Sequence, residues 1–148
     1  MKRLELVGMG ACPRCRRSVA HLMTTDGEHT LAVALDAAKA RELSRQYHEP
    51  VREKFVTDLL LELLSSSPQV PRQVVLELDD SGVLSARVDL TTSIYSCSPQ
   101  EGVAIVAAAR IPLYAAEKVF DLKHASHSPE GEGEDVQCHP PKQKPTLH

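Results

Sequence analysis

Three arginines stand close together near the start of the chain, at Arg14, Arg16 and Arg17 within residues 12–17. A guanidinium group binds phosphate oxygens through two parallel hydrogen bonds, so a loop with three of them could clamp a nucleic-acid backbone. Arg41 and Arg45, four residues apart on a predicted helix, would share one face and extend this patch. The alternative is a solvated loop without a ligand, because short basic runs are frequent on surfaces. Arg14, Arg16 and Arg17 are the candidate substrate-binding residues.

Two cysteines lie in the same loop with the spacing Cys12-x-x-Cys15, which is half of a zinc site. A structural zinc ion needs four ligands, usually from two such pairs, and Cys97 and Cys138 are isolated along the chain. Cys12 and Cys15 are therefore weak metal candidates, and a zinc-stabilised interaction domain is a minor hypothesis. The simpler interpretation is two exposed thiols in a turn. Cys97, among apolar neighbours, is expected to be a small buried hydrophobic residue.

Composition narrows the class of protein. The 148 residues suit one domain, and 42% hydrophobic with 25% charged residues is typical of a globular chain. Aromatics are only 3%, which argues against a binder that stacks single-stranded bases, and the net charge of −3 gives no overall basic field. No apolar run approaches the roughly 18 residues of a membrane span, and the charged N-terminus does not resemble a signal peptide. We expect a cytoplasmic protein without a membrane partner.

The last 25 residues differ in character from the rest. Residues 124–148 hold four of the ten prolines and four of the seven histidines, with almost nothing to bury. Such a segment cannot offset its ordering entropy. The sequence predicts a folded domain over 1–123 and a disordered tail over 124–148.

Periodicity within 1–123 predicts an α+β domain. Leu4 and Leu6 alternate with charged residues, as in an edge strand. Turn residues at 25–28 and 80–82 separate strand-like runs, which predicts two hairpins. Further strands are expected at 94–97 and 111–114, and helices at 37–47, 56–64, 100–109 and 115–120. Asp36 is expected to cap the first helix. The fold class is a single domain with a mixed, mostly antiparallel sheet and several short helices.

Three local strings resemble the bifunctional nuclease (DNase/RNase) domain family. Residues 55–64 look like its Thr-His-Asp-Leu-Leu helix start, and residues 96–107 are similar, without gaps, to its Asp-Ala-Arg-Pro-Ser-Asp-Ala-Ile-Ala-Leu-Ala-Leu string. Residues 111–119 resemble its Ala-Pro-Ile-Tyr-Val-Ala-Glu-Glu-Val ending. The resemblance spans residues 1 to about 121. It implies hydrolysis of DNA or RNA phosphodiesters.

Departures from the family bear on activity. Ser96 and Ser98 stand where the family has Asp and Arg, and Arg110 stands where it has a small residue. The histidine before the matched Asp58 is absent, and Glu101 replaces a shorter acid. If those groups bind phosphate or an ion, part of the site is lost. The alternative function is therefore a catalytically impaired relative that serves as a nucleic-acid or protein binding module.

Hydrolysis of a phosphodiester requires an activated water, a proton acceptor and positive charge, commonly from carboxylates with Mg²⁺ or Mn²⁺. Asp58 and Glu101, at helix starts matched to the family, are the candidate catalytic residues; Asp36 and Asp89 are weaker additions. The alternative role of Asp58 and Glu101 is helix capping. We expect a nuclease that uses a divalent cation, acts on DNA or RNA, and forms a homo-oligomer because its short strands and few aromatics need a partner surface.

Overall fold

The computed structural model describes residues 1–48 and 55–125, and confirms an α+β fold. These residues form strands β1 (Lys2–Ala11), β2 (Ser18–Thr24), β3 (Thr30–Leu35), β4 (Pro71–Leu78), β5 (Leu84–Leu90), β6 (Ile94–Cys97) and β7 (Leu113–Ala115). The helices are α1 (Ala37–His48), α2 (Val56–Ser65), α3 (Pro99–Ala109) and α4 (Lys118–Ala125). One sheet has the order β3-β2-β1-β7-β4-β5-β6, and its neighbours are antiparallel except for β4 and β7.

The sheet consists of two three-stranded meanders, each followed by a helix: β1–β3 with α1, and β4–β6 with α3. Both predicted hairpins are confirmed. Their turns place Gly27 at φ 75° and Gly82 at φ 79°, a backbone conformation that costs glycine little. The short strand β7 joins the meanders, because it pairs with Lys2–Leu4 on one side and with Val74–Leu76 on the other.

Two sequence-based expectations for the ends of the chain need correction. β1 is not an edge strand but lies inside the sheet, between β2 and β7, because β7 returns from far along the chain to cover it. The last helix begins at Lys118 rather than at 115, because residues 113–115 are used as that strand. α4 continues to Ala125, two residues past the predicted boundary, and 126–148 lie outside the described residues.

Helix α3 packs closely against the sheet and supplies the centre of the core. Gly102, Val103, Ala104 and Ile105 are buried, and Gly102 faces β4 and β5 so closely that a Cβ there would lie 2.5 Å from the Cβ of Ala86. Residues that follow the two outer strands also meet: Asp36 N–H donates to Gln100 Oε1 at 2.9 Å, and Gln100 Nε2 donates to Asp36 Oδ2 at 3.0 Å. Because Asp36 follows β3 and Gln100 follows β6, the sheet must curve strongly around the helices.

None of the helices in the described ranges is long and apolar enough to cross a lipid bilayer.

Candidate functional site

Three helices begin close together, and each start is capped as its sequence predicts or allows. Asp36 Oδ1 accepts the N–H of Lys39 at 2.8 Å, which confirms Asp36 as the cap of α1. Asp58 Oδ2 accepts the N–H of Phe55 at 2.9 Å and so closes the first turn of α2. The hydroxyl of Ser98 caps α3, whose first residue is a proline.

Lys39 connects these three helix starts, and sequence reasoning did not single it out. Its Nζ lies 2.8 Å from Glu42 Oε2 on its own helix, 3.0 Å from Glu101 Oε2 on α3 and 3.3 Å from Thr57 Oγ1 on α2. Lys39, Glu42 and Thr57 are buried, whereas the Glu101 side chain is 43% exposed. The group is therefore a mostly buried ionic cluster with one carboxylate open to solvent. We call Lys39, Glu42, Thr57 and Glu101 the Lys39 cluster.

The charge on Lys39 is held in place by its carboxylate neighbours. Burial acts to lower the pKa of Lys39, but the hydrogen bonds to Glu42 and then to Glu101 outweigh it and leave the pKa raised above its usual value. Lys39 therefore remains protonated and can supply positive charge, but it does not act as a base near neutral pH. Glu42 Oε1 is buried without a hydrogen-bond partner among the residues that the structure describes.

The two predicted catalytic acids open neighbouring helices in contact with each other, but both carboxylates have structural partners. Asp58 accepts the backbone N–H of Phe55, and Glu101 pairs with Lys39 rather than with an arginine. The weaker candidates have partners too: Asp36 caps α1, and Asp89 accepts hydrogen bonds from Arg87 Nε and from Gln73 on β4. Within 1–48 and 55–125, no three acidic, histidine or cysteine side chains are grouped so that they could hold a metal ion.

The predicted arginine loop joins β1 to β2 at one end of the sheet. Arg14, Arg16 and Arg17 are exposed, and Arg16 has a left-handed backbone with φ 57°. The loop is closed by backbone hydrogen bonds, from Arg16 N to Cys12 O at 2.8 Å and from Cys12 N to Arg17 O at 2.7 Å. In the described part of the chain, no acidic side chain forms an ion pair with these three arginines.

The arginine loop and the Lys39 cluster belong to the same end of the sheet. Ser18, which directly follows the loop, pairs with Leu35, and Leu35 directly precedes the Asp36 cap of α1. The first turn of α1, which carries Lys39, therefore starts beside the strand that the loop enters. The fold brings exposed arginines and a buried lysine to one region, although they are 22 or more positions apart.

The described cysteines are not in disulfides. Cys12 and Cys15 are half-buried, and no further histidine, cysteine or acidic side chain joins them in a metal-binding group within the described ranges. Cys97 is also half-buried rather than fully buried as expected, and it packs against the core. Burial, and then the charge of Glu101, raise the pKa of the Cys97 thiol.

A cavity of about 460 Å³ lies away from all of these residues, and sequence reasoning did not predict it. It opens between β1 and the C-terminal end of α3, and its polar lining includes Arg3, Glu5, Gln46 and Arg110. Arg110 ends α3 in a left-handed conformation, φ 53° and ψ 43°. The one sign of Arg110 in the sequence was that it stands where the resembling family has a small residue.

Comparison with known proteins leaves the resemblance to the bifunctional nuclease domain as a prediction. Neither a scan against protein-family models nor a search of curated proteins found a match to this chain.

Proposed function

We propose that this chain is a nucleic-acid-binding domain of the bifunctional nuclease type, in which the arginine loop holds the phosphate backbone. The observation that carries the proposal is the exposure of Arg14, Arg16 and Arg17 on one short loop, without ion pairs to acids in the described residues. Guanidinium groups that have no acidic partner within 1–48 and 55–125, on a loop closed by its own backbone bonds, can bind phosphate oxygens. We place this function in the cytoplasm.

Binding is favoured over hydrolysis by the partners of the predicted catalytic acids. Asp58 caps α2, and Glu101 is bonded to a protonated lysine, so neither carboxylate is poised as an unpaired proton acceptor. Ser98, which stands where the resembling family has an arginine, serves as the cap of α3. These features agree with a relative that has kept the fold and lost part of a hydrolytic site.

Phosphodiester hydrolysis is the second candidate function, and the Lys39 cluster favours it. Lys39 contacts Thr57, the residue before Asp58, and also Glu101, so one fixed positive charge lies beside both predicted helix starts. Such a charge would stabilise the phosphorane, and the Glu101 carboxylate, which is 43% exposed, would have to leave Lys39 before it could take the proton of water. Because the described residues contain no group of three possible metal-binding side chains, Mg²⁺ or Mn²⁺ would need phosphate oxygens of the substrate as further ligands.

Salt-dependent binding tests the first function. Affinity for a fluorescent single-stranded oligonucleotide is measured over a series of salt concentrations, for the parent and for the triple variant Arg14→Gln, Arg16→Gln and Arg17→Gln. Loss of three phosphate contacts is expected to reduce the slope of log K against log salt by about 2. The control is the double variant Arg72→Gln and Lys118→Gln, which removes exposed charges elsewhere. Equal slopes for the parent and the triple variant contradict the proposal.

Turnover tests the second function on the same protein. Plasmid DNA and RNA are incubated with the parent and added Mg²⁺ or Mn²⁺, and the double variant Asp58→Ala with Glu101→Ala is expected to be at least about tenfold slower. Asp58→Asn is the matched control for the helix cap, because its side-chain oxygen can still accept the N–H of Phe55. A parent that binds but does not cleave supports the binding module. A double variant as active as the parent removes both acids from any mechanism.

A further inference from the structure

Helix α2 exposes the apolar side chains that a helix of a monomeric domain normally buries. Val56 is 79% exposed, Leu59 49%, Leu60 44% and Leu63 71%, whereas the one fully buried residue of the described helix is the polar Thr57. The chain has therefore placed the hydrophobic face of α2 in contact with water. Contiguous apolar surface of this kind marks an interaction site.

The exposed surface continues toward the edge of the sheet. The loop after α2 is hydrogen-bonded to the turn before β6: the N–H of Val70 donates to Thr91 Oγ1 at 3.1 Å, and Gln69 Nε2 donates to Thr92. Val70 itself is 52% exposed, and the first two residues of β6, Ile94 and Tyr95, are 64% and 61% exposed. Tyr95 shares the face of its partner Val88, and Ile94 lies on the opposite face with Asp89, so the exposed residues continue around the free edge of β6. The α2–β6 surface, which includes this edge, is defined by Val56, Leu59, Leu60, Leu63, Val70, Ile94 and Tyr95.

We infer that the α2–β6 surface is the interface with a second copy of this chain, related by a twofold axis. At roughly 180 Å² for one fully exposed large apolar residue, the exposed fractions of the seven side chains correspond to roughly 750 Å². A standard stable interface takes about 800 Å² from each partner. The surface therefore has close to the area that a dimer needs.

The rest of this sequence does not offer an alternative cover. The residues outside the described ranges, 49–54 and 126–148, contain Val51, Val136 and Leu147 as their only large aliphatic side chains and no aromatic residue. Three separate aliphatic residues cannot bury a surface made by seven. A second copy, in contrast, brings an identical apolar surface to meet the first.

The free edge of strand β6 can pair with the same edge of a second copy. It is the last strand of the sheet and pairs with β5 alone among the described strands, so its outer backbone groups have no strand beside them. Two copies of such an edge can pair with each other in antiparallel fashion across a twofold axis. Charge does not oppose association, because 15 basic residues stand against 16 acidic residues in 1–123.

Sedimentation or light scattering of the purified full chain, over about a hundredfold range of concentration, measures the association. The parent is expected to be a dimer. Leu63→Lys and Tyr95→Lys, made separately, are each expected to weaken the dimer at least about 100-fold, because each would bury a charge in the interface. Both positions are exposed in the single chain, so the variants are expected to keep the circular dichroism spectrum of the parent.

Val83→Lys is the matched control, because Val83 is also apolar and 60% exposed but lies in the turn between β4 and β5. It is expected to remain dimeric. A monomeric parent at the highest concentration overturns the inference. So does a dimer that survives either Leu63→Lys or Tyr95→Lys, since association then uses another surface. Neither outcome depends on nucleic-acid binding.

Discussion

Replacement of Gly102 by alanine tests the packing of α3 on the sheet. A Cβ at this position would lie 2.5 Å from the Cβ of Ala86 and 3.1 Å from Cγ1 of Val74. Carbon atoms pack best at about 3.5–4.0 Å, so the helix would have to move about 1 Å from the sheet. Neither neighbour is the mobile end of a long side chain: Ala86 Cβ is attached directly to the backbone of β5, and Val74 is fully buried.

Two opposing contributions set the expected magnitude. Overpacking of a core costs up to about 3 kcal/mol, and the rigid neighbours of Gly102 favour the upper end of that range. Alanine gains about 1 kcal/mol over glycine inside a helix. Gly102→Ala is therefore expected to lower the free energy of unfolding by about 2 kcal/mol. Urea unfolding followed by circular dichroism measures the difference.

Two further variants separate steric conflict from other causes. Gly8→Ala is the matched control, because a Cβ there has no atom within 4 Å, and we expect a change of less than about 1 kcal/mol. The Ala86→Gly variant lacks the Cβ that a side chain at position 102 would meet first. In this background the loss of unfolding free energy caused by Gly102→Ala should be smaller by at least about 1 kcal/mol. A Gly102→Ala protein as stable as the parent, or an undiminished cost in that background, refutes the reasoning.

Three more predictions follow from single contacts. Arg110→Gly is expected to raise the free energy of unfolding by about 0.5–1 kcal/mol in urea, because it relieves a left-handed arginine. Lys39→Met is expected to lower it by about 3 kcal/mol, because Glu42 stays buried without its cation, and adding Glu42→Leu should restore most of the loss. The hydrogen bonds of Asp26, from Thr24 and then from the backbone of Glu28, lower its pKa from 3.8 to about 2. The stabilisation from Asp26 is present above pH 3.8 and disappears as the pH falls through about 2, so Asp26→Asn should flatten acid unfolding there.

The elements of this fold could be predicted where short-range chemistry determines them. The glycines of both hairpin turns have positive φ, and Asp36 caps α1, because turns and caps depend on residues a few positions apart. The inner position of β1 could not be predicted in this way, because it depends on pairing with residues more than 100 positions later. Local alternation describes which side chains of a strand are buried but not which strand lies beside it.

The candidate site shows the same division. The helix starts that carry Asp58 and Glu101 were predicted, but the role of Lys39 depends on contacts 18 and 62 positions away in the chain. Lys39 lies four positions before the buried Leu43, but the sequence of α1 gives no sign of the partners on α2 and α3 that Lys39 meets when it is buried. The leucines of α2 differ from Lys39 in the opposite way. Their spacing predicted the helix correctly, but it gave no sign that the apolar face of this helix would remain exposed to solvent.

The short strand β7 has a consequence for the order in which the protein can be completed during synthesis. Both meanders have been translated once residue 97 is made. Strand β7, which lies between β1 and β4, can pair with them only after residues 113–115 leave the ribosome. Until then β1 is an open edge of the nascent sheet, and unpaired edges attract other strands. The charges of Arg3 and Glu5 on the exposed side of β1 would discourage such contacts. The alternating charged residues that made β1 resemble an edge strand therefore suit the period of synthesis before β7 is made, when β1 is an edge strand.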